Sequence, residues 1–133
     1  MANTTFSGPV RSENGFDFIT KNATTGAITT NASYGKGVTG GVQQLSGAGA
    51  VDTTNLVTEI TTTGADALTL ANGSAGQIKI ITMVVDGGDG TLTPTTFANG
   101  TTITFNDAND TVALLYANTI GWVVISNSGA TVA

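Results

Sequence analysis

From residue 52 onward, short β-branched runs alternate with Gly, Asn, Asp and Pro every few residues, and this rhythm constrains the fold more than any other feature. Residues 56–63 (LVTEITTT) stop at Gly64, and 67–71 (ALTLA) are closed by Asn72-Gly73. Residues 77–85 (QIKIITMVV) form the strongest run and stop at Asp86-Gly87-Gly88-Asp89-Gly90. Residues 91–93 precede Pro94, 101–105 (TTITF) follow Asn99-Gly100, and 111–117 and 120–126 complete the series. Val, Ile and Thr suit a pleated surface, while Gly, Asn, Asp and Pro make the turns that end strands. No stretch sustains a helical period with N-cap and C-cap signals. The pattern predicts an all-β domain, a sandwich or small barrel of about seven strands. No fixed-period repeat is visible, which speaks against a solenoid or propeller. The expected core is Leu56, Ile60, Leu68, Leu70, Ile78, Ile80, Met83, Val85, Ile103, Phe105, Leu114, Val123 and Ile125, with Trp122 a core or inter-sheet residue.

Residues 1–50 read differently. Small apolar islands, Phe6, then Phe16-Asp17-Phe18-Ile19, then Ala27-Ile28, stand in a Gly/Thr/Asn background that becomes glycine-rich toward residue 50. Such spacing supplies few anchors for a core of its own and suits an extended arm that docks elsewhere. The expected division is therefore an N-terminal arm and Gly-rich connection over 1–50 and a β-sandwich or barrel domain over 51–133.

The side chains available narrow the chemistry. The 133 residues hold four Lys/Arg, nine Asp/Glu, no His and no Cys. Nucleophilic sites built on Ser-His-Asp or Cys-His are thereby excluded, as are zinc sites of Cys and His. A carboxylate-only hydrolase would need a cleft with an aromatic wall, and two Tyr and one Trp leave little to build one from. The expectation is a protein that is not an enzyme and carries no cofactor or metal. Charged residues make up 10% of the chain, against a usual value of about 25%. Such a surface can meet other protein without stripping water from many ions.

The charge is also unevenly placed. Residues 1–40 hold Arg11, Lys21 and Lys36 against Glu13 and Asp17, a balance of +1. Residues 41–133 hold Lys79 against Asp52, Glu59, Asp66, Asp86, Asp89, Asp107 and Asp110, a balance of −6. An acidic body without a basic patch argues against nucleic acid and against anionic membrane surfaces as partners. The longest apolar run falls far short of the ~18–20 residues of a membrane span and contains Lys79. The first ten residues, MANTTFSGPV, lack the basic and apolar regions of a secretory leader. Together with the absence of Cys, this fits synthesis in a reducing cytosol.

Three local motifs have plain structural readings. Gly35-Lys36-Gly37-Val38-Thr39-Gly40 matches GxGxxG, but that motif works only between a strand and a helix N-terminus, and more glycine follows here. A loop or hinge is the better reading. Residues 86–90 (DGGDG) and 106–110 (NDAND) offer carboxylates to a hard cation without the ligand spacing of an EF-hand. Both read as turns.

Three strings carry a family resemblance. Residues 6–16 (FSGPVRSENGF) look like the N-terminal arm of small virion proteins of marine and aquatic tailed bacteriophages. Residues 76–94 (GQIKIITMVVDGGDGTLTP) and 111–130 (TVALLYANTIGWVVISNSGA) are similar to their β-domains. The chain resembles head decoration, or capsid cement, proteins. That resemblance implies a jelly-roll-like or tulip-like β-domain, often homotrimeric, bound to the major capsid protein on the outside of the shell. The expected location is thus the virion, after assembly in the host cytoplasm. The expected capsid-binding arm carries Phe6, Pro9, Arg11, Phe16 and Phe18. The rival reading is a tail-associated or receptor-binding β-domain that recognises host glycans, for which Tyr34, Tyr116 and Trp122 are the only Tyr/Trp candidates.

Overall fold

The computed structural model describes residues 16–34 and 38–133, and the chain divides into two compact units between Gly40 and Gly41. No helix forms among the described residues. The first unit is a three-stranded antiparallel sheet of order β1-β2-β3, with β1 at Phe16–Lys21, β2 at Ile28–Tyr34 and β3 at Val38–Gly40. Asn22 builds the β1–β2 turn. Its Oδ1 accepts from the amides of Thr24 and Thr25, both at 2.9 Å, while its own amide donates to the Ala27 carbonyl at 2.8 Å. Local Asn-to-backbone bonds of this kind are why Asn favours turns.

The second unit is a sandwich of two five-stranded sheets. One has the order β12-β11-β8-β6-β4 and the other β13-β10-β9-β7-β5. The strands are β4 Val42–Ser46, β5 Gly49–Val51, β6 Val57–Thr61, β7 Asp66–Leu70, β8 Ile78–Val85, β9 Gly90–Pro94, β10 Ile103–Phe105, β11 Thr111–Ala117, β12 Gly121–Ser128 and β13 Thr131–Val132. An all-β sandwich is what the turn-punctuated sequence predicts. Its path is more specific. From β4 to β9 successive strands alternate between the sheets, so β4, β6 and β8 pair in parallel on one side and β5, β7 and β9 on the other. Each strand of the opposite sheet serves as the crossover that a parallel pair requires. These three turns of a flattened coil differ from the antiparallel Greek keys of a jelly roll. From β10 onward all pairing is antiparallel: β10 on β9, β11 on β8, β12 on β11 and β13 on β10.

Two sequence expectations change here. The lack of a fixed period does not prevent winding, because turns differ in length: Val42 aligns with Val57, and Val57 in turn with Ile80 across a longer excursion. The stretch assigned to the Gly-rich connection, residues 41–50, lies inside the sandwich, since β4 and β5 form its first turn. Alternation explains why glycine does not exclude it. Gln43, Leu45 and Val51 turn inward, and the small residues between them let the two strands bend back on each other.

The core lies between the sheets. Ile60, Leu68, Leu70, Met83, Ile103, Phe105, Leu114 and Trp122 are buried as expected, joined by Val51, Ile81, Leu92, Val112, Tyr116 and Ala130. Each large apolar side chain so buried contributes roughly 1.5–3 kcal/mol. Leu56, Ile80 and Val123 are only half-buried, and Ile78, Val85 and Ile125 are exposed. On β8 the reason is phase. Lys79, Ile81 and Met83 face inward, which sends Ile78 and Ile80 to the outer face. On β12 the register shifts opposite Ala113/Leu114, and Ile125 is the unpaired residue of that irregularity.

Candidate interaction surface

The polar clusters come first, because their geometry decides what they can do. Lys79 Nζ is sealed from solvent, donates to the Asn55 carbonyl at 2.8 Å and lies 3.6 Å from Asp52 Oδ1. Burial holds the ammonium below the usual lysine range, with Asp52 opposing the shift. For Asp52, burial pushes the carboxyl up. Hydrogen bonds from the Asn55 amide and side chain, the Lys79 charge and the Thr54 amide outweigh it, and the net shift is downward. The pair closes the loop between β5 and β6 onto β8.

The two oxygen-rich turns are structural. In 106–110, Asp110 Oδ2 accepts from the amides of Asn106 at 2.9 Å and Asp107 at 3.2 Å. In 86–90, Asp86 Oδ1 accepts from the Gly88 amide, and the Gly87 amide donates to Thr62 Oγ1, each at 2.9 Å. A Cβ on Gly87 would stand 2.3 Å from the Thr62 carbonyl oxygen, so this turn packs too tightly on the β6–β7 turn for any other residue. Among the described residues no three His, Cys, Asp or Glu side chains gather as a metal site. In the GxGxxG stretch, Val38-Thr39-Gly40 is strand β3, residues 35–37 lie outside the described residues, and Val42–Ser46 continues as a strand with no helix.

The aromatic candidates separate in the same way. Trp122 is 0% exposed; its Nε1 donates to the Ala71 carbonyl at 2.9 Å, and its ring meets Tyr116 edge-on at 5.2 Å between centroids. Tyr116 is 8% exposed. Both are core, and neither presents a face to a sugar. Beside them, an open hollow is lined by Thr53, Asn72, Gly73, Ser74, Ala75, Gly76 and Gln77. Gln77 is engaged there: its Oε1 accepts from the Ser74 amide and its Nε2 donates to the Thr53 carbonyl.

The outer face of the β12-β11-β8-β6-β4 sheet is the surface left with an unspent chemical character. Residues paired across strands share a face. One row runs Val123, Leu115, Ile78, and the next runs Ser126, Ala113, Ile80, Val57, Val42. Val42 is 48% and Ile78 45% exposed, and Val57, Ile80, Ala113, Leu115 and Val123 are partly exposed. No charge interrupts the two rows. The adjoining row, Ser128, Thr111, Thr82, Glu59, Gln44, is polar. In it Thr82 and Thr111 share a 2.8 Å hydroxyl bond, and the Gln44 side chain donates to Glu59. An apolar stripe edged by polar side chains has the anatomy of a protein–protein contact.

Of the arm residues inferred from the sequence, Phe6, Pro9 and Arg11 lie outside the described residues. Phe16 and Phe18 belong to β1, aligned with Tyr34 and Ala32 of β2. Val42, Val57 and Leu115 were missed as surface residues. Part of the signal was present, because Ile80-Ile81, Met83-Val84-Val85 and Leu114-Leu115 are apolar at successive positions instead of alternate ones, as in a strand covered on both faces. The sequence matches no protein-family model, and comparison with curated proteins returns no relative. Fold and surface together define a class, an all-β sandwich protein with an apolar outer sheet face.

Proposed function

We propose that this chain is a structural virion protein, a decoration or cement protein that binds the outer surface of a phage capsid. It holds adjacent major capsid proteins together against the pressure of packaged DNA. The observation that carries the reading is the charge-free apolar stripe on the outer face of the β12-β11-β8-β6-β4 sheet, with its polar margin, a surface suited to meet protein. The family is supplied by the resemblance of residues 6–16, 76–94 and 111–130. The second and third strings fall on β8–β9 and β11–β12, which supply much of the sandwich core. The burial of Tyr116 and Trp122 weighs against the glycan-binding alternative.

In this reading the N-terminal arm, with Phe6, Pro9, Arg11, Phe16 and Phe18, engages the major capsid protein and the sandwich sits outside the shell. Ordering an arm costs about 1–2 kcal/mol per residue before contacts are gained. One arm is marginal, and three arms on a homotrimer supply the difference through effective concentration. The test is to delete residues 1–16 and mix the truncated protein with expanded heads of the source phage. Loss of binding with the β-fold intact supports the reading. Full occupancy without the arm overturns the arm's role, and failure of the whole chain to bind heads overturns the function.

A further inference from the structure

We infer that the apolar stripe is where copies of this chain meet one another, through Val42, Val57, Ile78, Ile80, Leu115 and Val123. The inference deepens the self-association part of the reading above and needs no capsid. Charge selects the occupant. In residues 41–133 the only cation is Lys79, sealed in the interior against Asp52. Among the described residues, the charged side chains exposed on the sandwich are therefore all acidic. The sandwich of a second copy is repelled wherever those carboxylates stand, because like charges brought together across an interface oppose association. The two-row stripe is free of charge, and it is the same stripe on every copy. Contact there buries the apolar rows and leaves Gln44, Glu59, Thr82 and Thr111 as a polar rim, with the Glu59 carboxylate held by the Gln44 side-chain amide.

Two further features agree. Strands β4, β6 and β8 are parallel, and parallel sheets are ordinarily covered on both faces. Strand β4 is the edge of the sheet, and its sequence VQQLS holds no Lys, Pro or other charge of the kind that blunts an exposed edge. The stripe therefore runs to the sheet margin at Val42 without a guard.

The test uses the full chain without capsids, by light scattering and native mass spectrometry across a concentration series. The wild-type protein is expected at twice 13.3 kDa or a higher whole multiple. Ile78→Glu and Val42→Glu change half-exposed side chains, so the monomer keeps its fold, read by far-UV circular dichroism and buried Trp122 emission. Each is expected to weaken assembly about a hundredfold or more, through opposed carboxylates in every contact. Thr69→Glu, exposed on β7 of the other sheet, leaves assembly unchanged. A wild-type monomer at the highest soluble concentration overturns the inference and hands the stripe to a different protein. So does undiminished assembly of both Glu variants. Assembly that persists in a protein unable to bind heads counts against the capsid reading alone.

Discussion

Lys79 Nζ sits 3.6 Å from Asp52 Oδ1, with the lysine wholly buried and the carboxylate at the margin of solvent. The two partners are not equivalent. Asp52 also accepts from the Thr54 amide at 3.0 Å, the Asn55 amide at 2.8 Å and Asn55 Nδ2 at 2.7 Å, so it organises the loop as well as neutralising the lysine. Asp52→Ala leaves a buried cation unpaired and frees the loop, and is expected to cost about 3–5 kcal/mol. Lys79→Met removes the buried charge in a similar volume and is expected to fall within about 1 kcal/mol of wild type. Urea unfolding of both variants checks the asymmetry.

The same pair sets a pH response. Asp52 titrates lower in the folded chain than in the unfolded one, so its stabilisation is complete above its ordinary value of 3.8 and is lost as pH falls through the folded value. Lys79 is also depressed, from 10.5, so between its folded value and 10.5 the unfolded chain binds the extra proton and stability rises with pH. Unfolding midpoints should therefore fall below about pH 4 and rise on approach to pH 10.5. Lys79→Met should lose the alkaline rise and keep the acid loss.

Trp122 offers a direct optical check of the core. It is the single tryptophan, fully buried, and its indole N–H is bonded to the Ala71 carbonyl. Emission should be blue-shifted in the native protein and move red in one step on unfolding. Trp122→Phe, which removes the bond and part of the ring, should cost about 1–3 kcal/mol.

Gly73 tests how closely the hollow's rim is packed. A Cβ there would stand 2.8 Å from Trp122 Cζ2 and 2.7 Å from Gln77 Oε1. Gly73→Ala is expected to destabilise by about 1–3 kcal/mol through overpacking. Gly64→Ala, at a position with open space around it, should be near neutral by the same melting assay.

The strand series was legible because turn residues and β-branched runs act locally, and all seven predicted runs contain strands. What was not legible depended on partners distant in sequence. The phase of β8 was misread at Ile78 and Ile80, because an alternation count places a lysine outside, and only the Asp52 loop makes an inward Lys79 tolerable. Residues 41–50 looked like a linker, since Gly and Ala in β4–β5 gain their meaning from β6 and β7, which they flank in parallel. The outer stripe escaped notice for a related reason. Val42, Val57 and Ile80 are separated along the chain and become one row only when the coil is wound.

Winding also has a bearing on the order in which the chain folds. Among β4 to β9 no strand pairs with its neighbour in sequence, so every strand pairing within that stretch closes a loop through the opposite sheet. The hairpin of β11 and β12 is local in sequence, and β11 also pairs with β8. Because loop closure must precede the reward of non-local pairing, the β11–β12 hairpin is expected to form ahead of the β4–β9 coil in the folding of the sandwich.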